Sequence, residues 1–166
     1  HNMQTLGSLS EKRQRRIARE TLEIYAPIAN RLGIGWLKAE LENGSFRYLY
    51  PEEFRNIEEK VAKGKDNRAQ YVQKVTSRLV KELKGEEIPG EIEGRPKQYF
   101  SIYKKMVDQN ISFEDVHDLI GVRVLTKSLR DCYSVLGLVH SLWKPIPGKF
   151  KDYIAMPKPN MYQSLH

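Results

Sequence analysis

An α+β fold with an all-helical first half is what this sequence predicts, and three observations carry the expectation. Apolar residues recur at helical spacing from Ile17 through Leu83. The composition then changes at "EEIPGEIEGRP", residues 86–96, where prolines and glycines interrupt the pattern. Beyond that break "LIGVRVL", residues 119–125, alternates β-branched side chains as a strand does. The 166 residues, 40% hydrophobic and 30% charged, suffice for one compact domain or parts of two.

Taken in order, Ser8 with Glu11 three residues on fits a capping box at a helix start. Ile17, Thr21, Ile24, Tyr25, Ile28 and Leu32 follow at helical spacing, and Gly33 is a stop. Pro27 lacks an N–H and clashes with the preceding turn, so it kinks this helix or begins a second. The next helix runs over about 36–49, with Leu37, Leu41 and Tyr48 on one side and Gly44 weakening it. Pro51, Glu52 and Glu53 open another, because proline suits the first position and carboxylates the positive end. "KGKDNR", residues 63–68, reads as a break or an exposed turn. Val72, Val75, Thr76, Leu79, Val80 and Leu83 then form a stripe ending at Gly85.

One short strand is expected within residues 86–96, followed by a helix over about 99–107 and another opening near Ser112. After the strand at 119–125, Ser128 caps a helix carrying Val135, Leu136, Val139, Leu142 and Trp143. Residues 144–152 form a loop of proline, glycine and lysine, with strands expected at 153–156 and 162–166.

Lys and Arg total 28 against 21 Asp and Glu, a net charge of +7 that favours an anionic partner: nucleic acid, nucleotide phosphates or a membrane surface. Cys132 is the only cysteine, which rules out an internal disulfide and points to a reducing compartment. No apolar run approaches the roughly 18 residues of a spanning helix and no signal-peptide core is present, so a cytoplasmic protein without a membrane partner is expected. The chain opens at His1 and closes inside a promising stretch, so it reads as an excerpt. His1, His117, His140 and His166 have no metal-ligand spacing with Cys132, which argues against zinc. Walker, Rossmann and nucleophile-elbow motifs are absent.

Several residues could carry chemistry. Asp118 precedes the strand at 119–125, a place where nucleotide-transfer enzymes hold Mg²⁺, although capping or ending a helix is the plainer alternative. Arg95, Lys97, Ser101, Lys104 and Lys105 flank a turn, made by Gly94 and Pro96, into a helix whose N-terminus favours an anion; a solvated face is the plainer alternative. Arg123 lies inside an apolar strand and needs a carboxylate, a phosphate or a ring as partner. Lys144, Lys149, Lys151 and Lys158 outnumber the lone acid Asp152, and Tyr162 could stack on a base, unless Tyr153 and Tyr162 merely face inward and the lysines snorkel.

Four stretches, "GRPKQYFSIYKKM", "FEDVHDLIGVRVL", "DCYSVLGLVHSLWKPIPGKFKDYIAMPKPNMYQSLH" and "RETLEIYAPIANRLGI", resemble the long RelA/SpoT homologue family, stringent-response enzymes that make and degrade ppGpp and pppGpp. The resemblance spans essentially the whole chain. It implies a nucleotidyltransferase-like mixed sheet flanked by helices, and a pyrophosphokinase moving the β,γ-diphosphate of ATP to the 3′-hydroxyl of GDP or GTP. By that resemblance Asp118 would hold Mg²⁺ and act in catalysis together with Lys151. Arg95 and Arg123 would sandwich adenine, and Lys97, Ser101 and Lys105 would meet ATP phosphates. Tyr162 would stack on guanine, with Lys151, Lys158, Asn160, Gln163 and His166 around the acceptor nucleotide.

Residues 1–45 are similar to the tail of an HD hydrolase domain with its helical linker, and 46–166 to a truncated synthetase domain. Asn2 matches a hydrolase-site residue; the other residues of that Mn²⁺ site do not occur in this stretch. A bifunctional parent is implied, since "KFKD", residues 149–152, is similar to the basic "RFKD" of that branch. The family's second catalytic acid lies in an "EVQIRT"-like strand downstream of "YQSLH", so the excerpt is expected to bind nucleotides with incomplete catalytic machinery. Gln98 and Met161 depart from a common histidine and glycine. Ribosome and uncharged tRNA would be met through regions outside this chain, and an oligomer is compatible. The competing readings are an inactive nucleotide-binding regulatory fragment and a basic RNA-binding module.

Overall fold

The first helix forms where the spacing predicts, but its start and its buried side differ from expectation. The computed structural model describes residue 3 and residues 5–166. Ser8 donates its hydroxyl to the Thr5 carbonyl at 2.9 Å within a 3-10 turn, Leu6–Ser8, so no capping box with Glu11 forms. Helix α1, Glu11–Glu20, starts behind Ser10 instead. A π-helical turn, Thr21–Tyr25, leads with unbroken helical backbone into α2, Ala26–Arg31, and Pro27, which has no N–H to donate, directly follows this wider turn. The helix ends as expected at Gly33, whose φ is 75°. The Ile34 amide reaches the Ala29 carbonyl at 2.9 Å and the Gly33 amide that of Asn30 at 3.1 Å, a Schellman pair.

Small side chains face inward along this stretch. Ala18, Thr21, Ala26 and Ala29 are buried, whereas Ile24, Tyr25, Ile28 and Leu32 are at least half exposed. The small face lets α3, Gly35–Leu49, pack against both α1 and α2. Apolar periodicity therefore located the helix without locating its buried side.

The chain divides into two compact units, one taking residues through Lys63 and Lys97–Leu119, the other Gly64–Pro96 and Ile120–His166. In the first, α3, α4 (Pro51–Lys63) and α6 (Tyr99–Gln109) surround a core of Phe46, Ile57, Ile102, Phe113 and Val116. Phe46 is fully buried; its ring stacks on Tyr103 at 4.8 Å and meets Phe54 and Phe100 edge-on at 5.6 and 5.7 Å. Helix α6 stops at left-handed Asn110, φ 50°. Near Ser112 only a 3-10 turn forms, Phe113–Asp115. Its Ser112–Asp115 box closes the turn at once, and Phe113 and Val116 drop into the core.

In the second unit, α5, Lys65–Gly85, begins directly after Gly64, so "DNR" is helical and the expected break narrows to one glycine. Strands β1, Gly90–Pro96, and β2, Ile120–Thr126, pair antiparallel, from Gly90 opposite Thr126 to Pro96 opposite Ile120. Gly94 and Pro96 therefore lie in a strand rather than a turn. A Cβ on Gly94 would stand 3.0 Å from a Val72 methyl, so glycine is what allows α5 to approach. Helix α7, Leu129–Leu142, is capped by Ser128, whose hydroxyl accepts the Asp131 amide at 3.1 Å.

The strands expected at 153–156 and 162–166 do not form; one bridge joins Asp152 and Leu165. Asp152 Oδ1 accepts the Ile154 and Ala155 amides and curls the chain, and Met161 has φ 61°, which extended backbone excludes. The class is α+β, and among the described residues the sheet is these two antiparallel strands. No helix among those residues is long and apolar enough to cross a membrane.

Urea denaturation of Ser128→Ala should show a loss of about 1 kcal/mol, the usual worth of an N-cap. Phe46→Ala should lose about 3–5 kcal/mol, as for other buried aromatic truncations.

Candidate active site

In the first unit the backbone brings two segments together: the Lys97 amide donates to the Leu119 carbonyl at 2.9 Å. Just beyond, α6 is held at its start by Asn43 of α3, whose Oδ1 accepts the Phe100 amide at 3.0 Å and whose amide donates to Gln98. One free N–H of that helix start, expected to be available to an anion, is thus already taken. With α6 fixed, Lys97 Nζ lies 2.5 Å from Asp118 Oδ2 and Lys105 Nζ 2.6 Å from Oδ1. Ser101, half-buried, sits one turn before Lys105 on the same face of α6.

Partial burial alone would raise the Asp118 carboxyl. The hydrogen bonds from Lys105 and Lys97, and their charges, outweigh it and lower the pKa from 3.8 to about 2. Asp118 is therefore an ionised, half-exposed carboxylate between two ammonium groups. For a hard divalent cation it offers the right donor type, but among the described residues no three acidic, histidine or cysteine side chains gather. One carboxylate suits such a cation when phosphate oxygens complete the shell.

In the second unit, Arg95 and Arg123 project from the same face of the hairpin, because Arg95 pairs with Gly121 and Arg123 with Glu93. Arg123 Nη1 bonds Glu93 Oε1 at 3.1 Å, so the partner this strand arginine required is a carboxylate. Sequence reasoning missed Glu93, although the alternation Glu91, Glu93, Arg95 marks one charged strand face. Val122 and Val124 point the other way, into an apolar cavity of about 450 Å³ lined also by Val139, Trp143 and Leu165.

The C-terminal loop gathers the remaining candidates. The Tyr162 hydroxyl and His166 Nε2 lie 2.9 Å apart, and the Tyr162 amide donates to Asn160 Oδ1 at 3.2 Å. Lys158 Nζ sits 4.4 Å from the centre of the Tyr153 ring and 5.2 Å from that of Tyr162. The Lys151 and His166 backbones exchange hydrogen bonds at 2.8 and 2.9 Å. Desolvation first, then the charges of Lys158, Arg95, Lys151 and Arg123, push the His166 pKa below its ordinary value. Arg95, Arg123, Lys151 and Lys158 thus place His166 in one positive field in this unit. Gln163 is exposed, and Asn2 lies outside the described residues.

Residues 94–166 match the model of the region found in RelA / SpoT proteins, and residues 1–35 match that of an HD domain. Over its whole length the chain is 52% identical to a GTP pyrophosphokinase of Myxococcus xanthus, of which it covers 22%. It is 49% identical, again over its whole length, to the bifunctional (p)ppGpp synthase/hydrolase RelA of Mycobacterium tuberculosis, covering 22% of that protein. With a guanosine-3′,5′-bis(diphosphate) 3′-pyrophosphohydrolase of Aquifex aeolicus it shares 48% identity over 99% of this chain and 24% of the relative. The chain therefore spans less than a quarter of the length of these relatives.

Because the Asp118 pKa is lowered on folding, its contribution to stability is present above about pH 4 and lost as pH falls through about 2. Carboxyl NMR should show Asp118 titrating near 2 and moving upward in Lys105→Met; a titration at 3.8 in the unmodified protein would refute the two-lysine clamp.

Proposed function

We propose, from a chain whose residues 94–166 match the model of the region found in RelA / SpoT proteins, that it carries the nucleotide-binding part of a (p)ppGpp synthetase. The reaction moves the β,γ-diphosphate of ATP to the 3′-hydroxyl of GDP or GTP and releases AMP, in the cytoplasm. The observation that carries this reading is the carboxylate Asp118 held between Lys97 and Lys105. Diphosphate transfer asks a protein mainly to position groups and neutralise charge, and that cluster provides both signs of charge at one point.

In this reading Asp118 is the protein ligand to Mg²⁺, which when bound neutralises charge on the transferring phosphate oxygens. Lys97 and Lys105 turn from Asp118 to the ATP phosphates, with Ser101 donating beside them. Arg95 and Arg123 take the adenine between their guanidinium planes. Tyr162 stacks on guanine, while Lys151, Lys158, Asn160, Gln163 and His166 hold the rest of the acceptor. Lys151 fixes the acceptor's position for attack by its 3′-hydroxyl. The sheet belongs to a nucleotidyltransferase-like domain spanning 46–166, and residues 1–45 are the tail and linker of an HD domain. The HD match and the relatives named as hydrolases support a bifunctional parent that also degrades (p)ppGpp with Mn²⁺.

Incubated with ATP, GDP and Mg²⁺, the full-length protein should form AMP and ppGpp. Asp118→Asn should abolish both products and leave GDP affinity unchanged; product formation by the variant would remove Asp118 from the chemistry. Calorimetry should show Tyr162→Ala weakening GDP binding by about 1–3 kcal/mol, the range for base–aromatic stacking.

A further inference from the structure

Asp152 is an acid in a loop of lysines, and its carboxylate holds three hydrogen bonds. Oδ1 accepts the Ile154 and Ala155 amides at 2.9 and 2.8 Å, and Oδ2 accepts the Tyr133 hydroxyl at 2.9 Å. The first two curl the chain directly after Asp152. The third ties that curl to α7, whose first turn Ser128 caps. On its backbone side Asp152 bridges Leu165, flanked by the paired Lys151 and His166 and by the Tyr153 amide bonded to the Ser164 carbonyl at 2.9 Å. Residues 151–153 and 164–166 therefore form a clip that sets Lys151 and His166 side by side.

The same hydrogen bonds act on the ionisation of both groups. The Ala155 amide, against some desolvation, and then Tyr133 and Ile154 hold the Asp152 carboxyl below its ordinary value. The bond to Asp152 pushes the Tyr133 phenol up. Tyr133 lies on the exposed side of α7, so neither core packing nor burial accounts for this contact.

We propose that Tyr133 is a positioning residue for the acceptor guanine nucleotide: through Asp152 it holds the clip that places Lys151 against His166. This inference rests on the assignment of Lys151 and His166 to that nucleotide. Tyr133 itself touches neither the nucleotide nor the reacting atoms. Its hydroxyl orients a carboxylate, the carboxylate fixes a backbone turn, and the turn sets the spacing of two side chains that receive the ligand.

The test is calorimetric titration of GDP, and separately of ATP, into the protein and its Tyr133→Phe, Tyr162→Ala, Asp152→Ala and Tyr133→Phe/Asp152→Ala variants. Tyr133→Phe keeps the ring and removes one hydrogen bond, so GDP should bind about threefold to tenfold more weakly with ATP affinity unchanged. In the Asp152→Ala background the same change should add nothing. Amide exchange should quicken at Lys151 and His166 and stay constant within α7.

Full GDP affinity in Tyr133→Phe, with Tyr162→Ala impaired, would overturn the inference and leave the guanine site standing. Additive losses in the double variant, or an equal loss of ATP affinity, would overturn it too, since Tyr133 would then act by another route. If Tyr162→Ala binds GDP as the unsubstituted protein does, the guanine-site assignment itself fails. Should Asp152→Ala not fold, Asp152→Asn, which keeps an acceptor for the two amides, takes its place.

Discussion

The ring of Phe46 has no exposed surface, and the placement of α6 depends on it. Tyr103 stacks on one side, while Phe54 and Phe100 close in edge-on, so α3, α4 and α6 share one aromatic contact. One turn earlier on α3, Asn43 takes the Phe100 amide, so the helix that packs α6 also caps it. Ile102 and Met106 then face this core. On another face of the same helix, Lys105 is delivered to Asp118 with Ser101 beside it. The charged cluster is held in place because the apolar contact on the same helix is closely packed.

A second regularity is that several of the candidate cations already have partners. Lys97 and Lys105 share Asp118, Arg123 has Glu93, and Lys158 rests on two rings. The Arg123–Glu93 pair is about half-exposed, where an ion pair contributes little to stability, so exchanging one anion for another there costs little. The same pairs limit self-repulsion in a chain of net charge +7. Side chains restrained in this way also lose less conformational freedom when a ligand replaces the internal partner.

What could be read from the sequence was local. Gly33, Ser128 and the "LIGVRVL" strand each act through backbone geometry within a few residues, and each lies within a residue of expectation. The failures are places where a side-chain contact, near or distant, overrides the local pattern. Small residues rather than large ones face α3, so the Ile17–Leu32 pattern gave a helix without its orientation. One carboxylate, Asp152, converts an expected strand into a curl. Ser8 turns to Thr5, only three residues back, in preference to Glu11. For the site, the residue types were legible singly. Their pairing was not, because Asn43 with Phe100, Glu93 with Arg123 and Tyr133 with Asp152 arise from register and packing that no short window contains.

If guanine stacks on Tyr162 as proposed, Lys158 over the rings of Tyr153 and Tyr162 would couple the two ends of the nucleotide. The ammonium lies over the ring surface that base would use. On that reading, a base settling on Tyr162 would displace the lysine and free it for phosphate, and a phosphate drawing the lysine away would clear the ring for the base. Base and phosphate recognition are then two views of a single exchange. Guanosine alone, or pyrophosphate alone, would bear the whole cost of moving Lys158, whereas a guanine nucleotide divides that cost between its halves. Selectivity for the intact nucleotide would follow from one mobile side chain, without a dedicated contact to the bond that joins its parts.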